Sequence, residues 1–219
     1  MPHETAPLRT AGASLDTATS ALVLLHGRGA GAADILALGR EIGPDGVALL
    51  APDADGATWY PLSFLAPLDA NQPYLDGALV TVARAVAEAE GAGIPRERIA
   101  LGGFSQGACL TLEYTARTGG RWGAVLALSG GLIGTGEDLE GKPPADKLFA
   151  YDTDLAGTPI LLGCSDVDPH IPLSRVRRSS LVLSELGADV DERIYKGMGH
   201  SVNRDELEAA RAMVVAMAG

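Results

Sequence analysis

The chain is poor in cysteine, in aromatic residues and in cations, and it has no long apolar run. Its 219 residues include only two cysteines, Cys109 and Cys164, and both stand inside apolar segments. That excludes a disulfide-stapled scaffold and points to reduced, buried thiols of a cytoplasmic protein. Lys and Arg number 17 against 28 Asp and Glu, a net charge of -11. Such a chain repels phosphate backbones and anionic bilayers, so neither a nucleic acid nor a membrane is expected as a partner. No apolar stretch approaches the roughly 18 residues of a spanning helix. The opening "MPHETAPLRTAGASLD" lacks the basic and then apolar regions of a signal peptide. No cluster of side chains has metal-ligand spacing, so no metal is expected. The densest basic run, "RVRR" at 175–178, reads as the solvated face of a helix.

What is present is an alternation of short apolar runs with helical patterns. Strands are expected at 21–26, 47–52, 98–104, 123–130, 158–166 and 189–197. Helices are expected at 31–43, 75–93, 105–119, 174–188 and 203–219. Central runs apolar on both faces predict a mostly parallel sheet with helices on both sides. Residues 21–219 read as one α/β domain, preceded by a segment, 1–20, that holds an edge strand or a hairpin. The polar segment 132–157, rich in Gly and Pro, reads as a surface excursion between two strands.

The stretch "LGGFSQGACL" at 101–110 carries a G-x-S-x-G pattern, Gly103 to Gly107, between a strand and a helix. A serine in that sharp turn takes a strained backbone, and the flanking glycines avoid collisions with neighbouring backbone. Ser105 is therefore the candidate nucleophile. A serine hydroxyl needs a base, and in this architecture the order along the chain is serine, acid, histidine. His170 and His200 both follow Ser105. His200, between the last strand and the last helix, is the better placed. The acid belongs on the loop "SDVDPHIP"; Asp168, stiffened by the following proline, is favoured over Asp166. Backbone N–H groups of Gln106 and of Arg28, in "HGRGAGAAD", are candidates for an oxyanion hole. His26 is expected to hold that loop by hydrogen bonds rather than to react, and Cys109 to be packing.

Together "LLHGRG", "GGFSQGA", "DPHIP" and "GMGHS" resemble the phospholipase/carboxylesterase family of α/β-hydrolases, which also contains the acyl-protein thioesterases. The resemblance runs from about residue 21 to the C-terminus. It implies an α/β-hydrolase fold, Ser105, Asp168 and His200 as triad, Arg28 and Gln106 as oxyanion hole, and no cofactor or metal. Arg28 stands where the thioesterases usually have leucine, and the loop "TWYPLSFLAPLDANQPYL" departs from their pattern. The expected function is a serine carboxylesterase acting on small or medium esters. A thioesterase or lysophospholipase with the same triad is the alternative within the fold. A non-catalytic binding protein is the alternative outside enzymes. Trp59, Tyr60 and Phe64 are expected to wall the substrate pocket and to favour short or aromatic acyl groups. The expected partner is a small-molecule ester, and the oligomeric state is left open, a homodimer included.

Overall fold

The computed structural model describes residues 1–136 and 147–219. Its strands are β1 (Leu8–Gly12), β2 (Ser20–Leu25), β3 (Val47–Pro52), β4 (Ile99–Phe104), β5 (Ala124–Leu128), β6 (Pro159–Ser165) and β7 (Asp189–Tyr195). Its α-helices are α1 (Ala32–Ile42), α2 (Tyr74–Gly91), α3 (Gln106–Thr118), α4 (Leu173–Glu185) and α5 (Arg204–Ala218). Among the described residues these strands form one sheet in the order β1-β3-β2-β4-β5-β6-β7. Only β1, which lies on the edge beside β3, runs antiparallel. The other pairings are parallel. The antiparallel edge strand lies within the segment 1–20, where the sequence left strand and hairpin both open.

The two-residue period of a strand divides the core into two layers. In β2, Val23 and Leu25 face a cluster that includes Val82 of α2, Leu110 and Leu112 of α3, and Val182 of α4. Leu22 and Leu24 face the opposite cluster, with Ile35 and Leu36 of α1 and Val214 of α5. All six residues of β2 are buried, which explains why the run is apolar without alternation. Each of these leucines contributes about 1.5–3 kcal/mol by leaving water. The alignment of the parallel strands gathers the turns after β2, β4, β6 and β7 at one sheet edge. That is where an open α/β sheet places its ligand.

Two expectations need correction. The excursion 132–157 is not all surface: Leu132, Ile133, Thr135, Phe149 and Leu155 are buried. Residues 137–146 of that segment lie outside the described residues. The run "RVRR" is not wholly solvated either. Arg175 is fully buried and donates to the carbonyls of Leu132 and Gly134, each at 2.7 Å. A buried guanidinium on backbone carbonyls satisfies acceptors that no strand pairing covers among the described residues, and so anchors the chain there. Glu113 of α3 does the same from the other side, accepting from Ile133 N–H at 3.1 Å and from Tyr151 Oη at 3.0 Å.

Candidate active site

Ser105 stands between β4 and α3 with φ 56° and ψ −119°. A positive φ at a non-glycine residue costs on the order of 1–3 kcal/mol and persists only where its surroundings impose it. Here they do. The Ser105 N–H donates to Leu128 O of β5 at 3.0 Å, and α3 begins at the next residue. A Cβ on Gly103 would lie 2.4 Å from the Gly107 carbonyl carbon; one on Gly107 would lie 2.0 Å from Leu25 O. Strand β4, helix α3 and strand β2 therefore approach so closely that only hydrogen fits at 103 and 107.

The loop after β6 carries Asp168. Its Oδ1 accepts from the backbone N–H groups of His170 at 2.8 Å and Ile171 at 3.0 Å. Its Oδ2 accepts from His200 Nδ1 at 2.7 Å, with the Cys164 thiol at 3.8 Å on the same oxygen. Burial raises the Asp168 pKa, but the hydrogen bonds from His200, His170 and Ile171 together outweigh it. The carboxyl is held below its ordinary value, so it is an anion at neutral pH. The loop after β7 carries His200, whose Nε2 lies 2.9 Å from Ser105 Oγ. With the ring proton on Nδ1 donated to Asp168, Nε2 is free to accept the serine hydroxyl proton. Phe104 and His170 pack on the ring, with centroids 5.0 and 4.8 Å away.

Four residues weighed against these have other places. Asp166 Oδ1 accepts from Gly197 N–H at 2.7 Å, tying the two loops together. His170 lines the cavity above Ser105. His26 is buried, and burial pushes its pKa down. Its Nδ1–H donates to Gly27 O at 2.8 Å while Nε2 accepts from Ala54 N–H at 3.1 Å. That pattern requires the neutral ring and makes His26 a brace for the loop after β2. Cys109 is buried, and burial pushes its thiol up to about 12, so it carries no thiolate at neutral pH.

In the brace loop Gly29 N–H donates to Ala57 O and Ala30 N–H to Gly27 O. The N–H groups of Arg28 and Gln106 have no acceptor among the described residues. Both residues line a cavity of about 500 Å³ that also contains Ser105 and His200. Gln106 opens α3, so the positive end of the helix dipole faces that space. Tyr60 and Phe64 line the same cavity. Trp59 does not. It is fully buried behind the wall, its Nε1 donating to His26 O at 2.9 Å and its ring 4.9 Å from the His26 ring. Its indole N–H needs a buried acceptor, and the brace loop supplies one.

Sequence reasoning missed the side-chain work of Arg28 and Gln106. Arg28 donates to the carbonyls of Tyr60, Pro61 and Leu62. Gln106 donates to Tyr60 O and accepts from Trp59 N–H. No spacing announces these bonds, because they depend on how an irregular loop folds back. Asn203 and Glu206 form a capping box at the start of α5: Asn203 Oδ1 accepts from Glu206 N–H and Glu206 Oε2 from Asn203 N–H, each at 2.9 Å. It fixes the start of α5 four residues after His200.

A doubly covered, mostly parallel sheet with a strained serine turn at its carboxyl edge defines the α/β-hydrolase fold. More particularly, the chain belongs to the phospholipase/carboxylesterase family, whose model matches residues 12–217. A crystal structure of a phospholipase/carboxylesterase from Dyadobacter fermentans is 40% identical, covers 96% of each chain and superposes with a TM-score of 0.88. Esterase PE8 is 26% identical, with 97% of this chain and 99% of that one covered and a TM-score of 0.76. Acyl-protein thioesterase 1 of Gibberella zeae is 36% identical over 122 residues, 56% of this chain and 49% of its own. The chain thus spans about half the length of such curated relatives. Among the described residues no group of three or more His, Cys, Asp or Glu is arranged to hold a metal ion, and no helix is long and apolar enough to cross a membrane.

Proposed function

We propose that this protein is a carboxylesterase that cleaves esters of short or medium acyl chains through an acyl-enzyme on Ser105. The observation that carries this reading is the continuous relay from Asp168 through His200 to Ser105, at 2.7 and 2.9 Å, below a single cavity. His200 Nε2 takes the Ser105 proton as Oγ bonds to the ester carbonyl carbon. The carbonyl oxygen becomes an oxyanion, stabilised by the N–H groups of Arg28 and Gln106. His200 then gives the proton to the leaving alkoxide, and the C–O bond breaks to release the alcohol. A water, deprotonated by His200, attacks the acyl carbon. Collapse returns the proton to Ser105 and frees the carboxylic acid. Asp168 holds the Nδ1–H tautomer and balances the imidazolium.

The cavity wall supports the chain-length part of the reading. Tyr60, Pro61, Leu62 and Phe64 close one side, and each methylene that fits adds about 0.8 kcal/mol until that wall is reached. The net charge of -11 favours small-molecule substrates over polyanions. A thioesterase reading has its own support, since the curated relatives are named acyl-protein thioesterases. The test is labelling with a fluorophosphonate probe, followed by p-nitrophenyl esters from acetate to palmitate and matched acyl thioesters. Labelling lost in Ser105→Ala and kcat/KM peaking at short or medium esters is the expected result. A rate rising out to palmitate, or thioesters strongly preferred at equal chain length, transfers the assignment to the thioesterase reading. Absence of labelling removes the enzyme reading altogether.

A further inference from the structure

The rim loop 58–62 is held by the side chains of the two residues whose N–H groups face the oxyanion. Arg28 donates to three successive carbonyls, Tyr60 at 2.9 Å, Pro61 at 3.0 Å and Leu62 at 2.7 Å. Gln106 donates to the same Tyr60 carbonyl at 2.9 Å and accepts from Trp59 N–H at 3.0 Å and Thr58 Oγ1 at 3.3 Å. This loop is not part of the sheet. Pro61 has no N–H to offer, and Leu62 at the tip is 48% exposed. Arg28 makes no ion pair among the described residues. Its guanidinium is given over to backbone carbonyls. A planar fork reaches three acceptors spread along a chain; an ammonium, a single point on a flexible stem, does not.

We infer that Arg28 is a positioning residue that couples the acyl wall to the oxyanion hole and so sets the chain-length limit. This rests on the carboxylesterase reading above. The side chain is a short, charge-assisted strut between the loop that supplies one oxyanion donor and the loop that walls the cavity. An acyl chain that fits leaves the strut unstrained. A longer one pushes Tyr60 and Leu62 outward, and the strut carries that displacement to the Arg28 backbone. The N–H then misses the position the oxyanion will occupy. Chain length beyond the limit is therefore felt in kcat, because a donor misplaced by a fraction of an ångström is lost from the transition state and not from the ground state.

The test compares wild type with Arg28→Met and Arg28→Lys, both of which keep the backbone N–H. Amide hydrogen exchange over residues 58–64 reads the strut without reference to turnover. Expected is exchange about tenfold faster in Arg28→Met, with Arg28→Lys closer to Met than to wild type. Steady-state kinetics on esters of increasing length read the coupling. Expected in Arg28→Met is a kcat on butyrate lower by about tenfold or more, with KM little changed, and a flatter fall of kcat with chain length. Unchanged exchange overturns the inference. A uniform loss at every chain length overturns the coupling. Full restoration by Arg28→Lys overturns it too, because charge alone would then suffice. If wild type is not labelled at Ser105, the esterase reading fails, and the exchange result still decides whether Arg28 holds the loop.

Discussion

Replacing Asp168 by asparagine removes one charge and almost no volume, yet the loop geometry makes it severe. The two backbone N–H groups of His170 and Ile171 point at Oδ1, at 2.8 and 3.0 Å. Both are donors, so the introduced amide must put its oxygen there. Its NH₂ is then forced into the place of Oδ2, 2.7 Å from His200 Nδ1. A donor facing a donor is not tolerated, and the imidazole gives up the Nδ1 proton for one on Nε2. Nε2 is the nitrogen 2.9 Å from Ser105 Oγ, and once protonated it cannot accept the serine proton. The expected loss in kcat is on the order of 10⁴, as in the best-studied triads, equivalent to about 5.4 kcal/mol of barrier. The assay is p-nitrophenyl butyrate hydrolysis by purified Asp168→Asn, with circular dichroism to confirm the fold. Asp166→Asn is the control. Its partner is Gly197 N–H at 2.7 Å, which an amide oxygen still accepts, so near wild-type turnover is expected. If Asp168→Asn kept more than about a tenth of wild-type kcat, or Asp166→Asn were the more damaging, the acid assignment would fail.

Two further substitutions test the frame. Gly107→Ala puts a methyl 2.0 Å from Leu25 O and 2.7 Å from His26 O; because these are backbone atoms, the expected cost is about 3 kcal/mol in urea unfolding together with loss of turnover, and an unchanged midpoint would show that the elbow is looser than drawn. Glu206 Oε1 is buried without a partner among the described residues, and burial raises the Glu206 pKa to about 7. A carboxyl whose folded value lies above its unfolded one destabilises the fold as pH rises. Stability should fall by at most about 3 kcal/mol between about pH 4.5 and 7 and then level off. Glu206→Gln should remove that component, and stability curves that stay parallel to wild type would refute the assignment.

Much of this was legible before any coordinates. The order of strands and helices follows from runs apolar on both faces, such as "ALVLLH", alternating with amphipathic stretches. Ser105, Asp168 and His200 can be named because strand–turn–helix context and chain order narrow the choices, and the structure brings His200 within hydrogen-bond reach of both Asp168 and Ser105. What was not legible depends on irregular segments folding back on the sheet. Trp59 looks like a wall residue beside Tyr60, but an indole N–H that must be satisfied turned it toward His26 O. Arg175 reads as a solvated cation, since charge in a sequence carries no sign of the bare carbonyls at Leu132 and Gly134 that it covers. Arg28 was read for its backbone alone. Its side chain joins segments some thirty residues apart, a contact that no local period encodes.

The strand that delivers His200 is also an outer strand of the sheet, and this exposes the site to a hazard unrelated to its chemistry. A free strand edge is a template for pairing with another chain, and a chain added alongside β7 would lie against the turn that leads to the histidine. The sequence of β7, "DVDERIY", meets this with charge: Asp189, Asp191 and Glu192 are exposed, and Arg193 is drawn to Asp191 and Asp205 at 2.8 and 2.9 Å. An identical strand arriving at this edge would bring the same carboxylates against these and be repelled. The same seven residues thus carry the charge of the sheet edge and lead into the loop that holds His200.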